Sequence, residues 1–249
     1  MEKLSLASWS NTGIKNLATF IIQNAATLKV LDMSYDLGLS FKDMKHIMSN
    51  CVNLTEVSFS NSRLSSQSTE ALLKYLPPNI LKLNLAGLTI TDDNICKMVT
   101  KCRKIIELDL CGTRVTLKGV ICIVNNLSKS LTNLWLPKQI GLCLDQSPNL
   151  PSILKLASNL KHLWWKSNAI PSMSIQSEMY HLKKHLPHIT INEVSQTIAN
   201  PSVPFGRNGM WEVECNQVEL FSSHYITKQN FISSRSPSPE PWHKQDHFL

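Results

Sequence analysis

An α/β solenoid of about eight strand–helix repeats, with a parallel sheet on its concave side, is predicted by three observations. One apolar hexamer pattern recurs eight times along the 249 residues. The segments between carry helical periodicity, and the recurrence stops where the composition changes.

The first hexamer is MEKLSL, from Met1. Its pattern of apolar first, fourth and sixth residues returns in LKVLDM from Leu28, LTEVSF from Leu54, ILKLNL from Ile80, IIELDL from Ile105, LTNLWL from Leu131, LKHLWW from Leu160 and LPHITI from Leu186. Successive starts are 27, 26, 26, 25, 26, 29 and 26 residues apart, inside the roughly 20–29 residues of leucine-rich repeats. One alternating hexamer occurs in many folds. Eight at a nearly fixed period specify a leucine-rich-repeat solenoid, the horseshoe architecture, with its parallel sheet on the concave side.

Between hexamers, TDDNICKMVTKC offers Thr91 or Asp92 as a helix cap, acidic residues at the positive helix end, and Ile95, Met98 and Val99 on one face. FKDMKHIMSNC repeats the spacing with Phe41, Met44, Ile47 and Met48. Cys51 and Cys102 end two of the helical segments at the same place, which reads as core packing rather than as a reactive thiol. Each strand–helix unit has an apolar face that it cannot bury alone, so neighbours stack.

Side chains alternate along a strand, so with the fourth and sixth residues facing in, the third and fifth face out. The fifth positions read Ser5, Asp32, Ser58, Asn84, Asp109, Trp135, Trp164 and Thr190. Six are small or polar; Trp135 and Trp164 are the exceptions. Strands stand about 4.8 Å apart, so the two indoles form one aromatic patch. It serves either as a partner anchor or as a surface that the chain's own tail covers. Asp32, Asp109 and Lys166 are further candidate protein contacts on this side.

The period ends at LPHITINEV, which bounds a repeat domain over residues 1–193. Residues 194–224, with their Pro and Gly, suit a tail folding back on the concave face, and Pro201 and Trp211 are its candidate contacts. Residues 225–249 are rich in Ser, Pro, His and charge and are expected to be disordered. Ser236 and Ser238 each precede proline and are candidate phosphorylation sites.

Composition bounds the remainder. The net charge is +7, but Lys and Arg are spread along the chain, so nucleic-acid binding is not indicated. The longest apolar runs, such as residues 119–124, fall far short of a membrane span, and no leader is recognisable; an intracellular protein, in nucleus and cytoplasm, is expected. Seven cysteines without a CxxC pair favour reduced thiols over disulfides or a zinc site. His181 and His185 lie one helical turn apart but have no third ligand in view, so no metal and no cofactor are expected. Asn53 and Asn126 open glycosylation sequons that an intracellular chain does not use. No phosphate loop, paired carboxylates or Ser-His-Asp order points to an enzyme.

NILKLNLAGLTITDDNICKMVTKCRKIIELDL resembles the cysteine-containing repeats of F-box leucine-rich-repeat proteins, and LKKHLPHITINEVSQTIANPSVPFGRNGMWEVEC resembles the last repeat and tail of a member of that family. The resemblance covers roughly residues 1–216. It implies a substrate-recognition subunit of an SCF-type cullin-RING ubiquitin ligase, a protein substrate on the concave face, and an adaptor and cullin as partners. The family's F-box finds no room before the first repeat, so the adaptor is expected only if an F-box or a substitute for it is supplied. One family member holds a cyclin-dependent-kinase accessory subunit through a tryptophan, an aspartate, an arginine and a tail phenylalanine. By the resemblance these fall on Asn61, Gly112, Lys138 and near Val194 and Ser195. Only Lys138 keeps the charge, and lysine does not reproduce a bidentate arginine, which weighs against dependence on that subunit. A repeat scaffold without a ubiquitin role, or a competitor of the full receptor, is the other reading.

Overall fold

The computed structural model describes residues 1–7, 17–35, 39–137, 140, 150–165 and 180–193, all within the unit Met1–Asn200. Lys138, Lys166, Pro201, Trp211, Ser236 and Ser238 lie outside the described residues, as do the tail segments 194–224 and 225–249. The elements run β1 (Lys3–Ser5), α1 (Leu17–Gln23), β2 (Val30–Asp32), α2 (Phe41–Asn50), β3 (Glu56–Ser58), α3 (Ser66–Tyr75) and β4 (Lys82–Asn84). They continue with α4 (Asp92–Lys101), β5 (Glu107–Asp109), α5 (Leu117–Leu127), β6 (Asn133–Leu136), α6 (Leu150–Leu154), β7 (His162–Trp165) and β8 (Thr190–Glu193). Residues 180–185 add a helical turn before β8.

The eight strands form one parallel sheet in strict sequence order, the arrangement of a leucine-rich-repeat solenoid. Parallel neighbours need a crossover, and here the helices of the described crossovers pack behind the sheet. Helices are wider than the strand spacing, so the strand side is the concave one. Fourth-position residues Leu4, Leu31, Val57, Leu83, Leu108, Leu134 and Leu163 are all buried, as are sixth-position Leu6, Met33, Phe59, Leu85, Leu110 and Leu136. Each such side chain stabilises by roughly 1.5–3 kcal/mol when taken fully out of water.

Helix starts follow their local chemistry. Ser40 Oγ accepts from the Asp43 N–H at the head of α2 (3.2 Å). Met44, Ile47 and Met48 are buried there, but Phe41, expected on the same face, is 42% exposed. It is the first residue of the helix, where the apolar stripe has only begun to face the core. At α4, the Thr91 N–H donates to Asn94 Oδ1 (3.1 Å). Asp92 serves the next repeat instead: it accepts the N–H groups of Thr116 (2.7 Å) and Gly119 (3.0 Å) at the start of α5. The α5 positive end is thus closed by a carboxylate one repeat earlier.

A left-handed residue closes the turn after four successive strands: Tyr35 (φ 60°), Asn61 (φ 54°), Gly87 (φ 77°) and Gly112 (φ 72°). A Cβ on Gly87 would lie 2.3 Å from Asn61 Oδ1. Gly87→Ala is therefore expected to cost about 1–3 kcal/mol in urea unfolding, from backbone strain plus this clash. Adding Asn61→Gly removes the clash and suits the φ of 54°; the double variant should lose less than Gly87→Ala alone.

The cysteines correct one expectation. Cys96 in α4 and Cys122 in α5 form a disulfide, with Cα atoms 5.3 Å apart at a sequence separation of 26. No CxxC spacing announces the pair, because one repeat of chain separates it and stacking alone brings the two helix positions together. Cys51 and Cys102 are fully buried, and burial pushes each thiol up to about 11. Neither carries thiolate chemistry at neutral pH.

Candidate functional site

The outward face of the sheet is set by its register. Third-position residues Glu56, Lys82, Glu107, Asn133 and His162 stand side by side on β3 to β7. Fifth-position residues Asp32, Ser58, Asn84, Asp109, Trp135 and Trp164 form a second row. The eighth strand departs from the sequence reading: Thr190 pairs with His162, and Asn192 with Trp164. Asn192, not Thr190, therefore continues the fifth-position row. Ile189 and Ile191 are both buried, so a slip by two leaves the inward alternation unchanged and only backbone pairing decides.

Much of the fifth row holds the fold together. Oδ1 of Asp32, Asn84 and Asp109 accepts the backbone N–H two residues on, from Ser34 (3.0 Å), Ala86 (3.0 Å) and Cys111 (2.9 Å). This recurrent side-chain turn leads the chain out of each strand. Asp32 Oδ2 also accepts from Ser5 Oγ (3.2 Å), and Ser34 Oγ lies 2.7 Å from Ser58 Oγ. Asn61, matched by resemblance to a partner-contacting tryptophan, occupies the left-handed turn and donates its N–H to Ala86 O (2.7 Å). Gly112 occupies the same turn one repeat on from Gly87.

Trp135 and Trp164 meet as the alternation predicts. Their rings stack with centroids 4.0 Å apart and planes 6° off parallel. Trp135 is 3% exposed, while Trp164 stays half-buried and holds the outer part of the stack. The His162 ring sits 5.5 Å from Trp164 at a 37° tilt.

Beside the indoles lie two carboxylates that sequence reasoning treated unequally. Asp109 is the register partner of Trp135. Burial pushes its pKa up to about 6, against the opposing pull of the Cys111 N–H. Glu107, absent from the sequence candidates, stands one pleat away; burial raises its pKa and Lys82, at 3.5 Å, works the other way. Its Oε2 is buried without a hydrogen-bond partner. Reading the third-position row as closely as the fifth would have found both Glu107 and His162.

A titration follows from Asp109. Its folded pKa lies above the usual 3.8, so the folded state binds the extra proton and stability falls as pH rises from about 4 through about 6. Asp109→Asn keeps an acceptor that Asn84 shows to be sufficient for the turn. The variant is expected to melt higher than the parent at pH 7 and equally at pH 4, by circular dichroism.

His181 and His185 do lie together, with ring centroids 4.1 Å apart, and His185 Nδ1 is 2.8 Å from the His181 carbonyl. Among the described residues no group of three His, Cys, Asp or Glu side chains could hold a metal ion. No helix among them is long and apolar enough to cross a membrane.

No family model matches this sequence, and no curated protein does. Solved structures similar to it include the yeast Rad7–Elc1 complex, at 14% identity and a TM-score of 0.48, covering 75% of this chain and 56% of that one. The leucine-rich-repeat protein LegL7 of Legionella pneumophila is 18% identical with a TM-score of 0.41, covering 72% of this chain and 61% of that one. Actin-binding site 2 of leiomodin-1 is 16% identical with a TM-score of 0.42, covering 60% of this chain and 91% of that one. At such identities the likeness concerns fold alone. The residues that form the concave face of this leucine-rich-repeat solenoid have to be read from the chain itself.

Proposed function

We propose that the chain binds a protein substrate on the concave face of its sheet and acts as a substrate-recognition subunit of an SCF-type cullin-RING ubiquitin ligase. The observation that carries the binding surface is the half-buried ring of Trp164, backed by the buried Trp135 on which it stacks and flanked by His162. Aromatic anchors of this kind dominate interface energetics. The ligase assignment rests on the resemblance of the repeats and of the segment through Cys215 to F-box leucine-rich-repeat proteins, above all S-phase kinase-associated protein 2. In this reading the chain performs no bond chemistry. It raises the effective concentration of substrate beside the charged conjugating enzyme. Residence in nucleus and cytoplasm belongs to the same proposal.

The test is co-precipitation of the tagged chain with the ligase adaptor and cullin, with ubiquitination of the co-purified protein as second readout. Adaptor capture together with loss of the bound substrate in the Trp164→Ser variant is the expected result. Substrate binding without adaptor or cullin leaves the second reading, a repeat scaffold or a competitor of a full receptor.

A further inference from the structure

Charge is sorted between the two sides of this solenoid. Across the third and fifth positions of the described strands there are four carboxylates, Asp32, Glu56, Glu107 and Asp109, against two lysines, Lys3 and Lys82. Helices α2 to α5 carry the opposite balance, with six lysines against four acids. The sheet is thus an acidic face on a chain whose net charge is +7.

The acidity concentrates next to the aromatic stack. Asp32 is committed to Ser5 and Ser34, and Glu56 lies beyond Lys82. Asp109 adjoins Trp135 in the register and has one oxygen engaged by the Cys111 N–H. The Glu107 side chain is 15% exposed; one of its oxygens faces Lys82 at 3.5 Å and the other is buried and unpartnered. The partly exposed carboxylates Glu107 and Asp109 place negative charge beside the indoles, and cationic side chains are the complement of that charge. Indole rings add attraction for cations. One strand, β6, lies between β5 and β7, so an extended segment crossing them sets one basic side chain at Glu107 and Asp109 and a later one over Trp164.

We infer that the partner segment bound on β5 to β7 is a basic peptide, its Arg or Lys side chains received by Glu107, Asp109 and the Trp135–Trp164 stack. The inference rests on the concave face being the binding surface and adds the chemistry of what binds there.

Three synthetic peptides, an alternating Arg-Ser chain, a Lys-Ser chain and a Glu-Ser chain of equal length, are titrated into the full-length protein by calorimetry and tryptophan fluorescence. The Arg-Ser peptide should bind best and the Glu-Ser peptide not at all. Binding should weaken as salt shortens the Debye length from about 30 Å at 0.01 M to about 8 Å at 0.15 M. The double variant Glu107→Gln, Asp109→Asn, folded by circular dichroism, should bind the Arg-Ser peptide at least about tenfold more weakly, through loss of two charge-assisted contacts. Equal binding of acidic and basic peptides, or an unchanged affinity in that variant, overturns the inference. So does a carbodiimide cross-link from Glu107 or Asp109 to Lys228 or Lys244 of the same chain, which identifies the occupant as the protein's own C-terminal segment. If Trp164→Ser releases the co-precipitated substrate but the acid variant does not, the surface stands and its basic chemistry falls. If neither variant releases it, both fall.

Discussion

Replacing Trp135 by Ala is expected to lower the unfolding free energy by about 3–5 kcal/mol, the range for removing a large buried aromatic. The side chain is 3% exposed and stacked on Trp164 at 4.0 Å, so deletion opens a cavity and strips the contact from the second ring. Offset or stacked aromatic pairs add about 0.5–1.5 kcal/mol beyond area burial, so the loss at half-buried Trp164 should be smaller. Urea unfolding followed by far-UV circular dichroism gives both values and the double-variant coupling. A loss below about 1 kcal/mol at Trp135 would mean that the ring is a surface anchor and not a structural one, a cost typical of exposed positions. With the expected values, partner binding is best probed through Trp164→Ser, where lost affinity is not confounded with lost folding.

Reduction of the Cys96–Cys122 disulfide is expected to be the second large effect. The bond closes a loop of sequence separation 26 between α4 and α5. Chain entropy puts the cost of opening such a loop at about 3–4 kcal/mol. The measurement is paired urea titrations with and without a phosphine reductant, and the same pair on the Cys96→Ser, Cys122→Ser variant. The parent midpoint should fall on reduction to that of the variant, and the variant should not respond. Cys51 and Cys102 provide the internal contrast: buried, with thiols held at about 11, they should resist alkylation until the repeats unfold. Rapid native labelling at Cys102 would show that α4 opens locally and that its capping and packing contribute less than assigned.

The architecture was legible because a repeat states the same physical requirement many times. Apolar residues at the first, fourth and sixth positions mark strands whose alternate side chains must leave water, and eight of them at one period leave parallel stacking as the way to bury every face. The same alternation correctly placed Trp135 and Trp164 as neighbours, since matching fifth positions on adjacent strands share a face. The helices α2 and α4 followed from their apolar spacing, α4 also from its cap, apart from the first-turn Phe41.

What the sequence by itself determined, then, was period, the inward or outward parity of each strand residue, and the aromatic pair. Tertiary structure decided everything that depends on which residues of different repeats touch. Parity is preserved by a slip of two, so only strand pairing set Asn192 beside Trp164. Cys96 and Cys122 lie one repeat apart in sequence and become bonded only when their helices stack. Asp32 and Asp109 looked like surface contacts but, as Asn84 does, turn back to cap their own strands, because a short oxygen-bearing side chain reaches the N–H two residues ahead. Glu107 acquires its unpartnered oxygen from burial against its neighbours, a property that no linear pattern carries.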